Sequence, residues 1–288
     1  MLREANLEDV NNYLEFAYRL SQDFENSFFP TYLDGIKTKE DFYNSAFKSF
    51  EDENSKILLF EIDGEVLGWI DFYWLPSDLY LGIRVFNVKE FKGKSIEEFI
   101  EYAKQYFSKY TIFFGLPSKN IESVNYLKKI GTTKVEENYV YTLNFEEYQP
   151  KEYDGEIIKV NEENWNDFSN LHDKIEGIYW NSERLYKQIF TLTNNKWNIY
   201  LYYEEGQVMG TIYFVYTPLL MEIFGVDFQD NKFDKKIMNN LLIKALNVSK
   251  SDGQKYMTYF VGEEEIDIVE KLGFKFLDKY ELYKLELN

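Results

Sequence analysis

The chain has 288 residues, 45% of them hydrophobic and 19% aromatic, with 32 basic side chains against 50 acidic ones and a formal charge of −18. That length suits two domains, each able to bury its own core, and the apolar content excludes disorder. Without cysteine there is no disulfide, thiolate metal site or cysteine nucleophile; a single histidine argues against a metal cluster; and the acidity argues against nucleic acid or an anionic membrane as partner, because phosphates are repelled.

The first residues lack an apolar leader, and no run of about 18 apolar residues occurs, so the cytoplasm is the expected location. Leu2 and Arg3 open a short strand, and Asn6 caps a helix that runs through Tyr13, Phe16, Ala17 and Leu20. A second helix over 41–50 puts Phe42, Ala46, Phe47 and Phe50 on one face. Residues 57–74 read as two strands joined at Asp63-Gly64. A strand over 80–88 follows, then an amphipathic helix over 95–107, with Ile96, Phe99, Ile100 and Ala103 on its buried stripe. A strand over 111–116, a helix over 120–130 stopped by Gly131, and a last pair of strands within 134–145 complete the first half.

Residues 146–156 are polar, contain Pro150 and Gly155, and read as a linker. The same order then restarts, with a strand over 156–160, a hairpin over 199–216, a strand over 220–226, a helix over 237–246, and strands over 256–260 and 277–285. Gly206 lies 142 residues after Gly64, as Gly210 does after Gly68, Gly177 after Gly35 and Gly273 after Gly131. Chance would give about 0.4 such coincidences rather than four, so the chain is two copies of one unit, 1–146 and 157–288 around a linker at 147–156. Ile158-Lys159 matches Leu2-Arg3 at a spacing of 156, which leaves 14 extra residues in the first copy before about residue 30.

The hairpin Glu61 to Gly68, its echo Glu204 to Gly210, the segment Asn120 to Gly131, and Val269-Glu270-Lys271-Leu272-Gly273-Phe274 together resemble the GNAT superfamily of N-acetyltransferases. The resemblance covers nearly all of each half. It implies an α/β (α+β) architecture of two tandem GNAT-like domains, each a mixed, mostly antiparallel sheet with helices on both faces and splayed central strands. It also implies acetyl-CoA as co-substrate, lying in that splay with its pyrophosphate on the amides that open the next helix, where donors and partial positive charge collect.

The cofactor-binding positions carried over are Val88, Lys92, Gly93, Lys94, Ser95 and Asn120. Both loops depart from the family's R/Q-x-x-G-x-G/A: Ser95 and Glu97 replace glycines in the first copy, and 234–239, opening on Asp234, has none in the second. The first copy is the better expected holder of the carrier. Glu222, one acid in an apolar strand, is the candidate base, with Tyr80 matched to it in the first copy. The family's tyrosine acid falls on Leu127 and Val269, leaving Tyr126, one residue away, as the candidate acid. His172 reads as a structural helix residue.

The resulting expectation is an acyl-CoA-dependent N-acetyltransferase acting on a small or amino-acid-like amine, with no metal, as a monomer with an internal pseudo-dimer or as a homodimer. The alternative is a catalytically degenerate tandem protein that binds acyl-CoA or another ligand, or an interaction module with its crevice plugged by Phe91 or Phe233.

Overall fold

The computed structural model describes residues 1–28, 36–175, 179–192, 196–217 and 220–287. Gly35 and Gly177 therefore lie outside the described residues. In the first half, β1 (Leu2–Glu4) leads into α1 (Leu7–Leu20), opened by reciprocal bonds between Asn6 and Asp9. α2 (Lys39–Glu51) opens on the same device, Thr38 with Asp41. β2 (Ser55–Ile62) and β3 (Glu65–Leu75) form the hairpin, whose turn needs left-handed backbone at Asp63 (φ 51°) and Gly64 (φ 84°). β4 (Tyr80–Val88), α3 (Lys92–Tyr106), β5 (Thr111–Pro117), α4 (Ile121–Lys129) and β6 (Thr133–Asn144) follow.

The second half repeats this with β7 (Glu156–Lys159), α5 (Trp165–His172), α6 (Ser182–Tyr186), β8 (Trp197–Glu204), β9 (Gln207–Tyr216), β10 (Met221–Phe228), α7 (Lys235–Ser251), β11 (Tyr256–Val261), α8 (Ile266–Leu272) and β12 (Lys275–Glu286). Its hairpin turn repeats the conformation, with Glu205 at φ 51° and Gly206 at φ 77°. Among the described residues no helix is long and apolar enough to cross a membrane.

The compact units are Met1–Tyr139 with Asp278–Asn288, and Val140–Leu277. They differ from a cut at 146/157 because the last strands are exchanged. Residues 280–286 of β12 pair antiparallel with β5, completing the first unit's sheet. The end of β6 serves the second unit, where Phe145 donates its amide to the Lys255 carbonyl at the foot of β11. Each copy ends on one long strand rather than two short ones, since neither 133–144 nor 275–286 holds a glycine or proline to turn it.

In each unit the first four strands form three antiparallel pairs and one central pair runs parallel, β4 with β5 and β10 with β11. In the first unit α3 and α4 cover one face, with Phe99 of α3 packed on Phe72 and Phe86 of the sheet, and α1 and α2 cover the other over Leu59 and Trp69. In the second unit Ser249 of α7 bonds the Met221 sulfur on one face, and Phe168 of α5 and Leu185 of α6 pack on the other.

The strand registers also adjust the match between copies. Leu2 faces Phe60 as Ile157 faces Tyr202, so the early spacing is 155, not 156, and the first copy carries 13 extra residues. At that spacing Ala17 matches His172, which places the extra residues beyond Ala17.

Candidate active site

The central strands of both units fork. β4 and β5 pair only at Tyr80–Thr111, Leu81–Ile112 and Gly82–Phe113. β10 and β11 pair only at Met221–Met257, Glu222–Thr258 and Ile223–Tyr259. Each fork coincides with a bulge on its far side: Arg84 is the extra residue between Ile83 and Val85, and Phe224 between Ile223 and Gly225. Beyond the fork, one edge of β4 and one of β10 lose their sheet partner, and those backbone groups need another.

In the first unit the chain supplies it. Past α1, Asp23 folds residues 23–28 into a compact turn, taking the Glu25 amide at 2.9 Å and the Asn26 side-chain amide at 2.6 Å. The turn leads into the fork. The Val88 amide donates to the Asn26 carbonyl at 2.8 Å, and the Phe28 amide donates to the Phe86 carbonyl at 3.1 Å. The Asn120 side chain donates to the Ser27 carbonyl at 3.0 Å while capping α4. The Phe28 ring stacks on Phe86 with centroids 4.3 Å apart and meets Phe114 edge-on at 5.9 Å. Ser27 and Phe28 are buried. The 13 extra residues thus contribute a strap that occupies the slot.

Val88, Asn120, Ser95 and Gly93, picked from the sequence, have their polar groups taken up within the first unit. Val88 and Asn120 stand at the fork, but their donors hold the strap. The Ser95 hydroxyl donates to the Lys92 carbonyl at 2.7 Å, and Glu122 reaches the Gly93 amide at 3.4 Å, so a carboxylate already sits where α3 offers donors. Lys92 is half-buried and Lys94 exposed. The Tyr126 ring lies against Gly93, where a Cβ would come within 2.7 Å of it, and burial together with Glu97 pushes its phenol up. Leu127 is the helix residue turned into the core. The plug is Phe28; Phe91 is exposed, and Phe233 packs edge-on against Phe228.

Glu222 stands next to the second fork, paired with Thr258 one rung before the last, Ile223–Tyr259. It pairs across with Val215, which packs with α5 and α6, so its side chain faces those helices while Met221 and Ile223 face α7. The registers match Glu222 to Gly82, not to Tyr80, because Tyr73 faces Gly82 as Val215 faces Glu222. Any side chain at Gly82 would collide with the Tyr73 ring at 2.5 Å, so the first unit has no room for an acid there. The groups in register with Phe86 and Val88 are the Val226 carbonyl and the Phe228 amide. Among the described residues, no backbone group from outside the sheet is bonded to either. At the mouth of this slot, Asp234 caps α7, accepting from the amides of Lys236 at 2.8 Å and Ile237 at 3.1 Å, and Lys236 pairs with Glu204 at 2.8 Å.

Two buried ionic groups have partners that the sequence did not show, although His172 itself read as a structural residue. His172 on α5 brings Nδ1 to 2.6 Å from the Asp227 carboxylate of β10 and Nε2 to 2.7 Å from the Trp180 carbonyl. A carbonyl only accepts, so Nε2 carries hydrogen and the second proton lies between Nδ1 and Asp227. Burial opposes charge on the imidazole, but Asp227 and the carbonyl outweigh it and hold its proton above the ordinary range. Asp227 is in register with Asn87, whose side-chain amide donates to the Ala17 carbonyl at 2.9 Å. Both copies therefore tie their first helix to this strand with one buried polar side chain.

The other group is Asp71 on β3, 1% exposed beside Arg84 at 3.4 Å. Desolvation raises its carboxyl to about 7 against the pull of Arg84 and Ser49. The unfolded chain loses this proton near its ordinary value of about 3.9 and the folded chain keeps it to about 7, so folding binds the extra proton between those values. Stability of the first unit is expected to fall as pH rises from 4 to 7, and Asp71→Asn to flatten that slope in urea titrations taken at each pH. An unchanged slope would mean that Asp71 ionises normally.

No family model matches the sequence, and no curated protein sequence matches it. Solved structures do. A GCN5-related N-acetyltransferase from Sphaerobacter thermophilus superposes with a TM-score of 0.68 at 13% identity, covering 100% of this chain and 96% of its own. A tandem GNAT protein from the clavulanic acid biosynthesis pathway gives 0.59 at 12%, covering 100% and 99%. Saccharomyces cerevisiae N-myristoyltransferase, solved with myristoyl-CoA, gives 0.52 at 10%, covering 99% and 78%. With the two forks, a parallel central pair in each unit and these superpositions over the whole chain, the protein carries the GNAT acetyltransferase fold in two tandem copies.

Proposed function

We propose that the chain is an acyl-CoA-dependent N-acyltransferase whose chemistry belongs to the second unit, with the first unit serving as a non-catalytic scaffold. What supports this is the contrast between the forks: the first is filled by residues 26–28, whereas the second keeps Glu222 one rung before its last and has two strand groups without a bonded segment among the described residues. An acyl thioester supplies an electrophilic carbonyl and a thiolate leaving group. The acceptor nitrogen replaces the sulfur, its proton passes to Glu222, and the departing thiolate takes a proton from solvent. The Val226 carbonyl and Phe228 amide pair with the carrier's amide arm as a neighbouring strand would. Tyr259, at the fork and donating to Glu265 at 3.0 Å, closes the α7 side.

The Asp234 cap favours a second reading, in which the unit takes a thioester carrier with little help from its pyrophosphate, or binds without turnover. Calorimetry with acetyl-CoA separates these. We expect one equivalent bound per chain, a thermal midpoint that rises with ligand, and a Glu222→Gln variant that binds as before but turns over at least about 100-fold more slowly. Two equivalents would return the first unit to the mechanism, and turnover retained by Glu222→Gln would remove that residue from it.

A further inference from the structure

The two bulges sit at one place in the fold and carry opposite chemistry. In the first unit the bulge residue is Arg84. Its guanidinium lies over the Tyr73 ring at 4.4 Å, donates to the Ser55 hydroxyl at 2.8 Å and approaches Asp71 at 3.4 Å. A cation belonging to the chain thus rests on an aromatic face between acids, beside the fork. In the second unit the bulge residue is Phe224, and Trp197 stands in register with Ser55. The Phe224 ring meets Trp197 at 4.8 Å, and Trp180 lies 4.9 Å from Trp197 and 6.4 Å from Phe224. Phe224 is 39% exposed, so the cluster reaches the surface. Glu222, two residues before it and on the α5 and α6 side, adds a carboxylate where the first unit has Gly82. The position that holds a cation over a ring in one copy has aromatic rings and an acid in the other.

Resting on the acyltransferase reading above, we infer that the acceptor is a small aliphatic cation, an ammonium on a short alkyl stem, taken up against Phe224 and Trp180, which Trp197 backs from the core, with its nitrogen toward Glu222. Ring quadrupoles attract a cation at van der Waals distance, and an adjacent carboxylate adds to the attraction and accepts the proton that the amine must lose. The His172 bond to the Trp180 carbonyl fixes the backbone of the residue that carries the third ring.

The test is calorimetry on the full chain with agmatine, 1-butanol and butyrate as cationic, neutral and anionic probes. Agmatine is expected to bind and the other two to bind at least ten-fold more weakly. Phe224→Leu, which keeps bulk and removes the ring face, is expected to weaken agmatine by about 5- to 30-fold. Trp180→Leu is expected to act in the same direction, so one poorly folding variant leaves the question decidable. Equal or tighter binding of 1-butanol or butyrate, no agmatine binding, or agmatine affinity unchanged in both variants would overturn the inference. An acetyl-transfer assay distinguishes the two readings: agmatine binding without acetylation leaves the cation site standing and removes the acyltransferase, whereas acetylation of neutral 4-aminobenzamide with no agmatine binding does the reverse.

Discussion

Phe28→Ala is expected to destabilise the first unit by about 3–5 kcal/mol, the cost of truncating a buried phenylalanine. The ring is 5% exposed between Phe86 and Phe114, and its removal leaves a hole in the middle of the unit. It also loosens the strap that holds the Phe86 carbonyl and Val88 amide, groups with no strand beside them. Asn120→Ala, which deprives the Ser27 carbonyl of its donor, is expected to cost about 1–3 kcal/mol. Urea unfolding, followed as the transition lost or shifted relative to the parent chain, reads both. A Phe28→Ala cost below about 0.5 kcal/mol is what an ordinary surface position gives, and would show that 23–28 merely rests on the fork.

The second large effect concerns the buried pair in the second unit. His172→Phe leaves the Asp227 carboxylate buried without its partner and is expected to cost about 3–5 kcal/mol. Asp227→Asn is expected to cost far less near neutral pH, because an amide can donate to Nδ1 of the neutral imidazole while Nε2–H stays on the Trp180 carbonyl.

The two proteins should then differ in pH dependence. In the parent, the unfolded histidine releases its proton near pH 6.5 while the folded pair keeps one, so the folded state binds more protons above that pH and stability falls as pH rises. In Asp227→Asn the imidazole is buried without a carboxylate, the unfolded state binds more protons below pH 6.5, and stability rises with pH instead. Equal slopes for the two would show that the pair does not share a proton.

Much of the fold was legible in the chain. Asp63-Gly64 and Glu205-Gly206 demand left-handed backbone and so a hairpin turn, the helical stripes name their buried faces, and glycines at a constant interval reveal the duplication. These are local constraints, written in the residues that satisfy them. The exchange of β12 and β6 was not legible, because a strand's own residues specify its pleat and not which β5 or β11 it joins.

The site divides in the same way. Glu222 stood out as an acid in an apolar run, and the departures of both loops from the phosphate pattern were visible. That Gly82 rather than Tyr80 is its counterpart required the strand register, since two residues are lost between the copies in the loop ahead of these strands.

What sequence alone determined is the pair of units and most of their elements; it also singled out Glu222 as an acid in an apolar strand. Only the tertiary structure decided which fork is filled, for a reason of distance. Asn26 and Phe28 are some sixty residues from Phe86 and Val88. Separation along the chain, by 11, 55 and 27 residues, likewise hides Arg84 on Tyr73, His172 on Asp227 and Phe224 on Trp197. Each is a contact between residues whose own neighbours in the chain carry no sign of the partner, and it exists because folding brings two strand edges and a helix end to one place.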